Sequence, residues 1–297
     1  MIFDTHAHYD DPRFDGDRDI ILNELAGRGI GTVVDVSASF EGIEGVIALA
    51  ERYPFLYATV GVHPSEVAEL TEEHMAKMAE WAKHPRVVAI GEIGLDYHYL
   101  KEERPEEPDT VRSVEDARLR DRVRTEENRD KDALTKETDP PRDLQKKWFR
   151  RQLALAKELD LPVVIHSRDA SQDTLDIMRE AHRDGITGVI HCFSGSVETA
   201  KAYLKMGYYI GVGGVVTFKN GRTLREVVRI TPIEQILIET DCPYLAPEPY
   251  RGKRNDSRYL PYVVRAIAEI KELDEETVIR VTEENARRMY RLKEIDS

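Results

Sequence analysis

Eight short apolar runs rich in β-branched residues recur along the chain, with helical patterns between them. They are IFDTHAH, GTVVDVSAS, LYATVGVHP, VVAIGEIGLD, PVVIHSRDA, TGVIHCFSG, YYIGVGGVVTF and ILIETDCPYL. Strands that alternate with helices pair in parallel, and near-continuous apolar runs mark strands buried on both faces. The segments between them carry helix end signals: in TEEHMAKMAEWAKHP, Thr71 and His74 bracket the first turn and Pro85 follows the last. Eight such units predict an α/β fold of the (β/α)8 TIM-barrel type, one domain over residues 1–297. An open doubly wound sheet is the alternative, but that fold usually carries a glycine-rich phosphate loop after its first strand. Here HAHYDD takes that place. The glycines of IGVGGVV lie within a strand with no G-x-G-x-x-G after it, and are read as points of close backbone approach at the barrel rim.

One stretch breaks the alternation. From about 99 to 143 more than half of the residues are charged, as in ARLRDRVRTEENRDKD, with prolines at both ends. Such a segment adds little to a core. It is read as a solvated insertion after the fourth strand, with a lid facing the substrate as the alternative.

Charge and cysteine usage narrow the function classes. A formal charge of -13 leaves no broad cationic surface, so an anionic substrate must be met locally by metals or a small basic cluster. The apolar runs are too short to span a bilayer, and the start MIFDTHAHYDD does not read as a signal peptide. Cys192 and Cys242 cannot form a disulfide framework, which favours a cytoplasmic protein. A monomer is the expected state.

Ionisable residues stand where a barrel core would be apolar. Residues two apart on a strand share a side, which would put Asp4, His6 and His8 on one face. His63 follows YATVGV, Glu92 follows VVAIG, His166 follows PVVI, His191 follows GVI, and Glu239 and Asp241 follow ILI. Each lies near the C-terminal end of its strand, and in a parallel barrel those ends lie together. Imidazoles and carboxylates gathered there point to divalent metal such as Zn2+, Mn2+ or Mg2+. A single histidine at a strand end is more often structural, but five strands repeating the pattern make coincidence a poor account. His74, His84, His98 and His182 lie on helices or loops and receive no functional role. Two metals bridged by a carboxylate can hold a phosphodiester and activate water between them. Glu92 is placed to bridge, with His6, His8 and Asp241 on one metal and His166 and His191 on the other. Asp241 would also take the proton of the attacking water.

The motifs DTHAH, GVHP, GEIGLDY, LPVVIHSRDA, HCFSG and ETDCPYLAP resemble, in order and wording, those of the TatD family of metal-dependent nucleases within the amidohydrolase-like barrels. Together they are very specific, and the resemblance runs from Ile2 to the NARRMY near the C-terminus, the charged insertion excepted. It implies a (β/α)8 hydrolase that uses divalent metal, commonly Mg2+, to cut DNA, often as a 3′-to-5′ exonuclease on single strands. Carried over, the family's ligands fall on His6, His8, Glu92, His166, His191 and Asp241. His63 resembles a phosphate-contacting histidine, and Arg168 would stand near the same rim. Related barrels that bridge their metals with a carboxylated lysine on the fourth strand differ, because VVAIGEIGLD has none.

Lys219 and Arg222 follow the seventh strand, and Arg251, Lys253 and Arg254 the eighth, where they would hold phosphates of a nucleic-acid strand. Tyr97, Phe193, Phe218 and Tyr244 are candidates for base stacking or, equally, for packing. Two other readings remain: an ester or amide hydrolase acting for instance on aminoacyl-tRNA, and a barrel without turnover that serves as a binding module.

Overall fold

All eight apolar runs become strands, in the computed structural model described here for residues 1–100 and 139–292. They are β1 (Ile2–Ala7), β2 (Ile30–Asp35), β3 (Leu56–Val60), β4 (Val87–Asp96), β5 (Val163–Arg168), β6 (Gly188–Ile190), β7 (Tyr209–Val212) and β8 (Ile236–Ile238). Their order in the sheet is their order in the chain, and every neighbouring pair is parallel. The two ends meet just beyond β8, where Ala7 pairs with Cys242. There the His8 N–H donates to Cys242 O at 2.9 Å and the Asp241 N–H to His6 O at 2.9 Å. The result is the expected TIM-type barrel. Most of the charged insertion, residues 101–138, lies outside the described residues.

Among the described residues the α-helices are α1 (Arg18–Glu24), α2 (Ile43–Arg52), α3 (Glu72–Trp81), α4 (Arg142–Glu158), α5 (Ser171–Arg183), α6 (Val197–Lys205), α7 (Arg222–Ile230), α8 (Leu260–Lys271) and α9 (Glu275–Met289). Their starts follow local chemistry. Thr71 caps α3 by accepting the His74 N–H at 3.2 Å, as the sequence predicts, and Asp274 caps α9 by accepting the Thr277 N–H at 2.7 Å. On α5 the buried residues Thr174, Leu175, Ile177, Met178 and Ala181 recur at helical spacing. None of the described helices is long and apolar enough to cross a membrane.

Strand parity divides the core into two layers. Val163, Ile165, Ile210 and Ile238 join the larger cluster with the helices, whereas Phe3, Val34, Val164, Val189 and Leu237 form a second cluster with Ala286, Met289 and Tyr290 of the C-terminal segment. Tyr290 closes this inner cluster, its hydroxyl donating to Thr5 O at 2.7 Å. Each buried side chain of this kind contributes about 1.5–3 kcal/mol relative to exposure. Two residues beyond Val164, Val189 and Leu237, the same parity brings His166, His191 and Glu239. An apolar layer therefore supports an ionisable one.

β1 departs from simple alternation. Its pairing with β2 shifts register between Asp4 and Ala7, and Asp4 meets His6 only through the backbone, its Oδ1 accepting the His6 N–H at 3.3 Å, rather than joining the imidazoles. The Asp4 carboxylate instead accepts from the Thr240 N–H at 3.0 Å, the Thr240 hydroxyl at 2.8 Å and the Ser257 hydroxyl at 2.6 Å. It ties β1 to the segment after β8.

Two buried glutamines of α4 clasp the ends of β3 and β4. Gln152 accepts the Val62 N–H at 2.8 Å and donates to Val62 O at 3.1 Å. Gln145 accepts the Asp96 N–H at 2.9 Å and donates to Asp96 O at 2.8 Å. Seven residues apart, both amides lie on one helix face. They satisfy backbone groups that β-pairing leaves open, beside His63 and at Asp96.

Candidate metal centre

His6 and His8 leave the end of β1 with their Nε2 atoms 3.1 Å apart. His8 Nδ1 lies 2.7 Å from Val36 O. A carbonyl can only accept, so Nδ1 carries the proton, which in the neutral ring leaves the Nε2 lone pair facing inward. Asp241 Oδ1 lies 3.7 Å from His6 Nε2 and 3.6 Å from His8 Nε2, and Glu92 Oε2 lies 3.5 Å and 3.7 Å from the same two atoms. Two nitrogens and two oxygens thus face one point. Asp241 takes a left-handed backbone, φ 56°, and accepts the Tyr244 N–H at 2.9 Å, so the chain turns sharply after β8.

The other oxygen of Glu92 faces a second group. Oε1 lies 2.6 Å from His191 Nε2, 2.8 Å from His166 Nδ1 and 3.9 Å from His63 Nε2. His166 Nε2 is in turn 3.0 Å from Asp96 Oδ2. The Ser65 N–H donates to His63 Nδ1 at 3.2 Å, which leaves the proton of the neutral ring on Nε2. The His6 and His191 rings stack with centroids 3.9 Å apart and planes within 10°.

Crowding splits the histidines into two kinds. Burial and the neighbouring His191 push His6 down to about 4, and burial and His166 push His63 down to about 3. Burial also works to lower His8, but the Asp241 hydrogen bond and the Glu92 charge outweigh it and raise His8 to about 10. His166 rises to about 9 against burial, through its hydrogen bonds to Asp96 and Glu92. Burial favours neutral Glu92, yet the His191 charge and the hydrogen bonds from His166, His191 and His6 hold its carboxyl well below the usual range.

These residues fit a divalent metal. His6, His8 and Asp241 offer ligand atoms within 4.8 Å of one another, as do His63, Glu92 and His166. His6 Nδ1 and His191 Nδ1 are buried without a hydrogen-bond partner among the described residues. A donor set of imidazoles and carboxylates suits Zn2+ or Mn2+ readily and Mg2+ through its oxygens.

Two acidic residues here were not assigned a role from sequence. Asp96 follows Glu92 and Gly94 at the two-residue spacing that singled out His6 and His8, so a usable signal was present. Glu239 was noted at its strand end but given no task. Burial works to raise Asp96, yet its hydrogen bond with His166 holds it at about 2, whereas burial pushes Glu239 up to about 8.

The basic residues stand further out. Arg168 ends β5 with its guanidinium 5.4 Å from the Tyr99 ring centre. Lys219, in the loop after β7, and Arg222, the first residue of α7, are exposed. Arg251 lies 4.5 Å over Phe218, joining the loops after β7 and β8, and Lys253 lies 5.5 Å over Tyr250. Arg254 is held by Asp17, with contacts of 2.9 and 2.5 Å, and by Arg13 O at 2.6 Å. Phe193 and Phe218 are buried, the Tyr97 hydroxyl donates to Asp173 at 2.8 Å, and Tyr244 is exposed beneath the Arg13 guanidinium.

A family model described as TatD related DNase matches residues 3–116 and 129–291. The chain belongs to the TatD-related family of metal-dependent hydrolases. The break in the match falls within the charged insertion. Among TatD relatives, a Bacillus subtilis protein described as the uncharacterized metal-dependent hydrolase YabD is 38% identical over 98% of this chain and 100% of its own. The Escherichia coli protein YcfH, described in the same words, is 30% identical over 98% of this chain and 96% of its own. The crystal structure of YjjV, a TatD homolog from Escherichia coli, superposes with a TM-score of 0.77 at 27% identity, covering 98% of each chain.

Proposed function

We propose that this chain is a divalent-metal-dependent deoxyribonuclease that hydrolyses phosphodiester bonds, working as a 3′-to-5′ exonuclease on single-stranded DNA. The observation that carries this reading is Glu92, one oxygen of which faces His6 and His8 while the other faces His166 and His191. That division suits two ions bridged by one carboxylate, with His6, His8 and Asp241 completing one side and His166 and His191 the other. When bound, such ions polarise a phosphoryl oxygen and make water a stronger nucleophile at neutral pH. Mg2+ is the expected pair, with Zn2+ or Mn2+ also suited to the nitrogen-rich set.

The chain's own residues supply the rest. The Asp241 side chain keeps 16% of its surface exposed and accepts the proton of the attacking water. His63, neutral with its proton on Nε2, donates to a phosphoryl oxygen. Arg168, Lys219, Arg222, Arg251 and Lys253 hold flanking phosphates, and Arg254 does so on leaving Asp17. The description DNase on the matched family model supports DNA as substrate. We further propose a single-domain, monomeric protein of the cytoplasm, a compartment in keeping with the free thiols of Cys192 and Cys242.

The test is cleavage of 5′-labelled single-stranded DNA by wild type and Asp241→Asn, with Mg2+, Mn2+ or Zn2+ returned after chelation. Wild type should give a metal-dependent ladder of shortened products, and the variant should lose about 10²–10⁴ in rate. Intact DNA with both proteins, under conditions where wild type binds metal, rejects DNA as substrate and directs the search to esters, amides and aminoacyl-tRNA.

A further inference from the structure

Beneath the histidines lies a buried acid whose task the reading above leaves open. Glu239 is 1% exposed, and its Oε2 has no hydrogen-bond partner among the described residues; nor has His191 Nδ1 or His6 Nδ1. Its Oε1 accepts the Cys192 backbone N–H and lies 3.8 Å from His191 Nδ1. A ring nitrogen of His6, one of His191 and a Glu239 oxygen lie within 4.8 Å of one another. The fold makes room for this carboxylate at Gly211, where a Cβ would overlap Oε2.

A further metal ion is a poor occupant of this spot. Imidazole lone pairs lie in the ring plane, and the His6 and His191 planes are nearly parallel with centroids 3.9 Å apart. An ion shared between the two rings would sit well out of both planes. Hydrogen bonding is what the arrangement suits, and its neighbours show the pattern. His8 gives Nδ1–H to Val36 O, and His166 points Nε2 at Asp96, each through the nitrogen turned away from the proposed metal position.

We propose that Glu239 is the positioning residue of His191. Its Oε1 accepts the Nδ1–H and holds the imidazole in the tautomer whose Nε2 lone pair faces Glu92 and the metal position. Histidine ligands commonly give their second N–H to a carboxylate, and losing that partner weakens metal binding about 10–100-fold. At 3.8 Å the two atoms stand beyond hydrogen-bond distance, so the proposal requires the His191 ring to move toward Glu239 when metal binds. This inference rests on the metal-site part of the proposed function and is independent of the substrate.

Zn2+ and Co2+ affinities measured by chelator competition test it in wild type, Glu239→Met and Glu239→Gln. Methionine fills the space without a carboxylate and should weaken binding about 10–100-fold. Glutamine keeps a neutral acceptor and should fall between. The chelated variants should retain the wild-type circular dichroism and Tm within a few degrees. Equal affinities in three folded proteins overturn the proposal. Should Glu239→Met fail to fold, 15N NMR of wild-type histidines with Zn2+ decides the matter: His191 must carry its proton on Nδ1, and the opposite tautomer overturns the role. Weakened binding in a protein that leaves DNA intact would sink the nuclease reading alone, whereas a wild type that takes up neither ion overturns both.

Discussion

Glu92 of β4 and His191, the residue after β6, meet across β5 at 2.6 Å between Oε1 and Nε2, the shortest of the contacts that gather imidazoles around this one carboxylate. Several histidines lean on a single acid. Removing it should therefore do more than delete one ligand.

Glu92→Gln is expected to lower metal stoichiometry below that of wild type and to cut single-turnover cleavage by about 10²–10⁴-fold at saturating metal. Equilibrium dialysis with metal analysis checks the first effect and labelled DNA the second. A variant that keeps full stoichiometry and rate would remove Glu92 from the bridging position.

The metal-free protein should lose stability as pH rises. Folded His8 is raised to about 10 and His166 to about 9, whereas an unfolded histidine titrates near about 6.5. The stability they supply is complete below about pH 6.5 and is lost as pH climbs through their folded values. The thermal midpoint of chelated protein is expected to fall between pH 7 and pH 10. A flat profile over that range would contradict cationic His8 and His166.

Metal should reverse that trend. A ligand nitrogen must be unprotonated, so uptake near pH 7 expels protons from His8 and His166. Calorimetric titrations in buffers of different ionisation enthalpy should show net proton release, and the loaded protein should have a higher Tm that depends on free metal. Binding without proton release would mean that metal bypasses these two residues.

The α4 clasps predict a cost far from any metal. Gln152→Ala strands the N–H and carbonyl of Val62, and Gln145→Ala the N–H and carbonyl of Asp96 together with the Pro140 carbonyl, each group worth about 1–3 kcal/mol when buried and unsatisfied. Urea unfolding should show losses of about 2–4 kcal/mol. A loss below about 0.5 kcal/mol would mean that the strand ends find other partners.

Much of this was legible beforehand because it is local. The eight apolar runs and the Thr71 cap depend on periodicity and near-neighbour chemistry, and they appear as strands and a helix start with boundaries moved by a few residues. Placing His6, His8, Glu92, His166, His191 and Asp241 at one end of the barrel follows from strand direction alone. Of the glycines of IGVGGVV only Gly211 lies within β7, while Gly213 and Gly214 follow it in a turn; a Cβ at Gly214 would overlap the Leu245 carbonyl, the close backbone approach expected, whereas at Gly211 the nearest atom is the Glu239 side-chain oxygen.

What tertiary structure decided is how those side chains share the space. Alternation along β1 would put the Asp4 side chain beside that of His6, but β1 carries a register shift between Asp4 and Ala7 and the Asp4 carboxylate turns toward Thr240 and Ser257, partners more than 230 residues away in sequence. The division of Glu92 between two histidine groups, the Asp96 contact with His166 and the place of Glu239 behind His191 arise in the same way. Sequence by itself determined which residues reach the C-terminal end of the barrel, because chain direction and the two-residue period are local properties. Only the closed barrel decided which atoms face each other there, because side-chain orientation in a packed interior is set by neighbours from every strand at once.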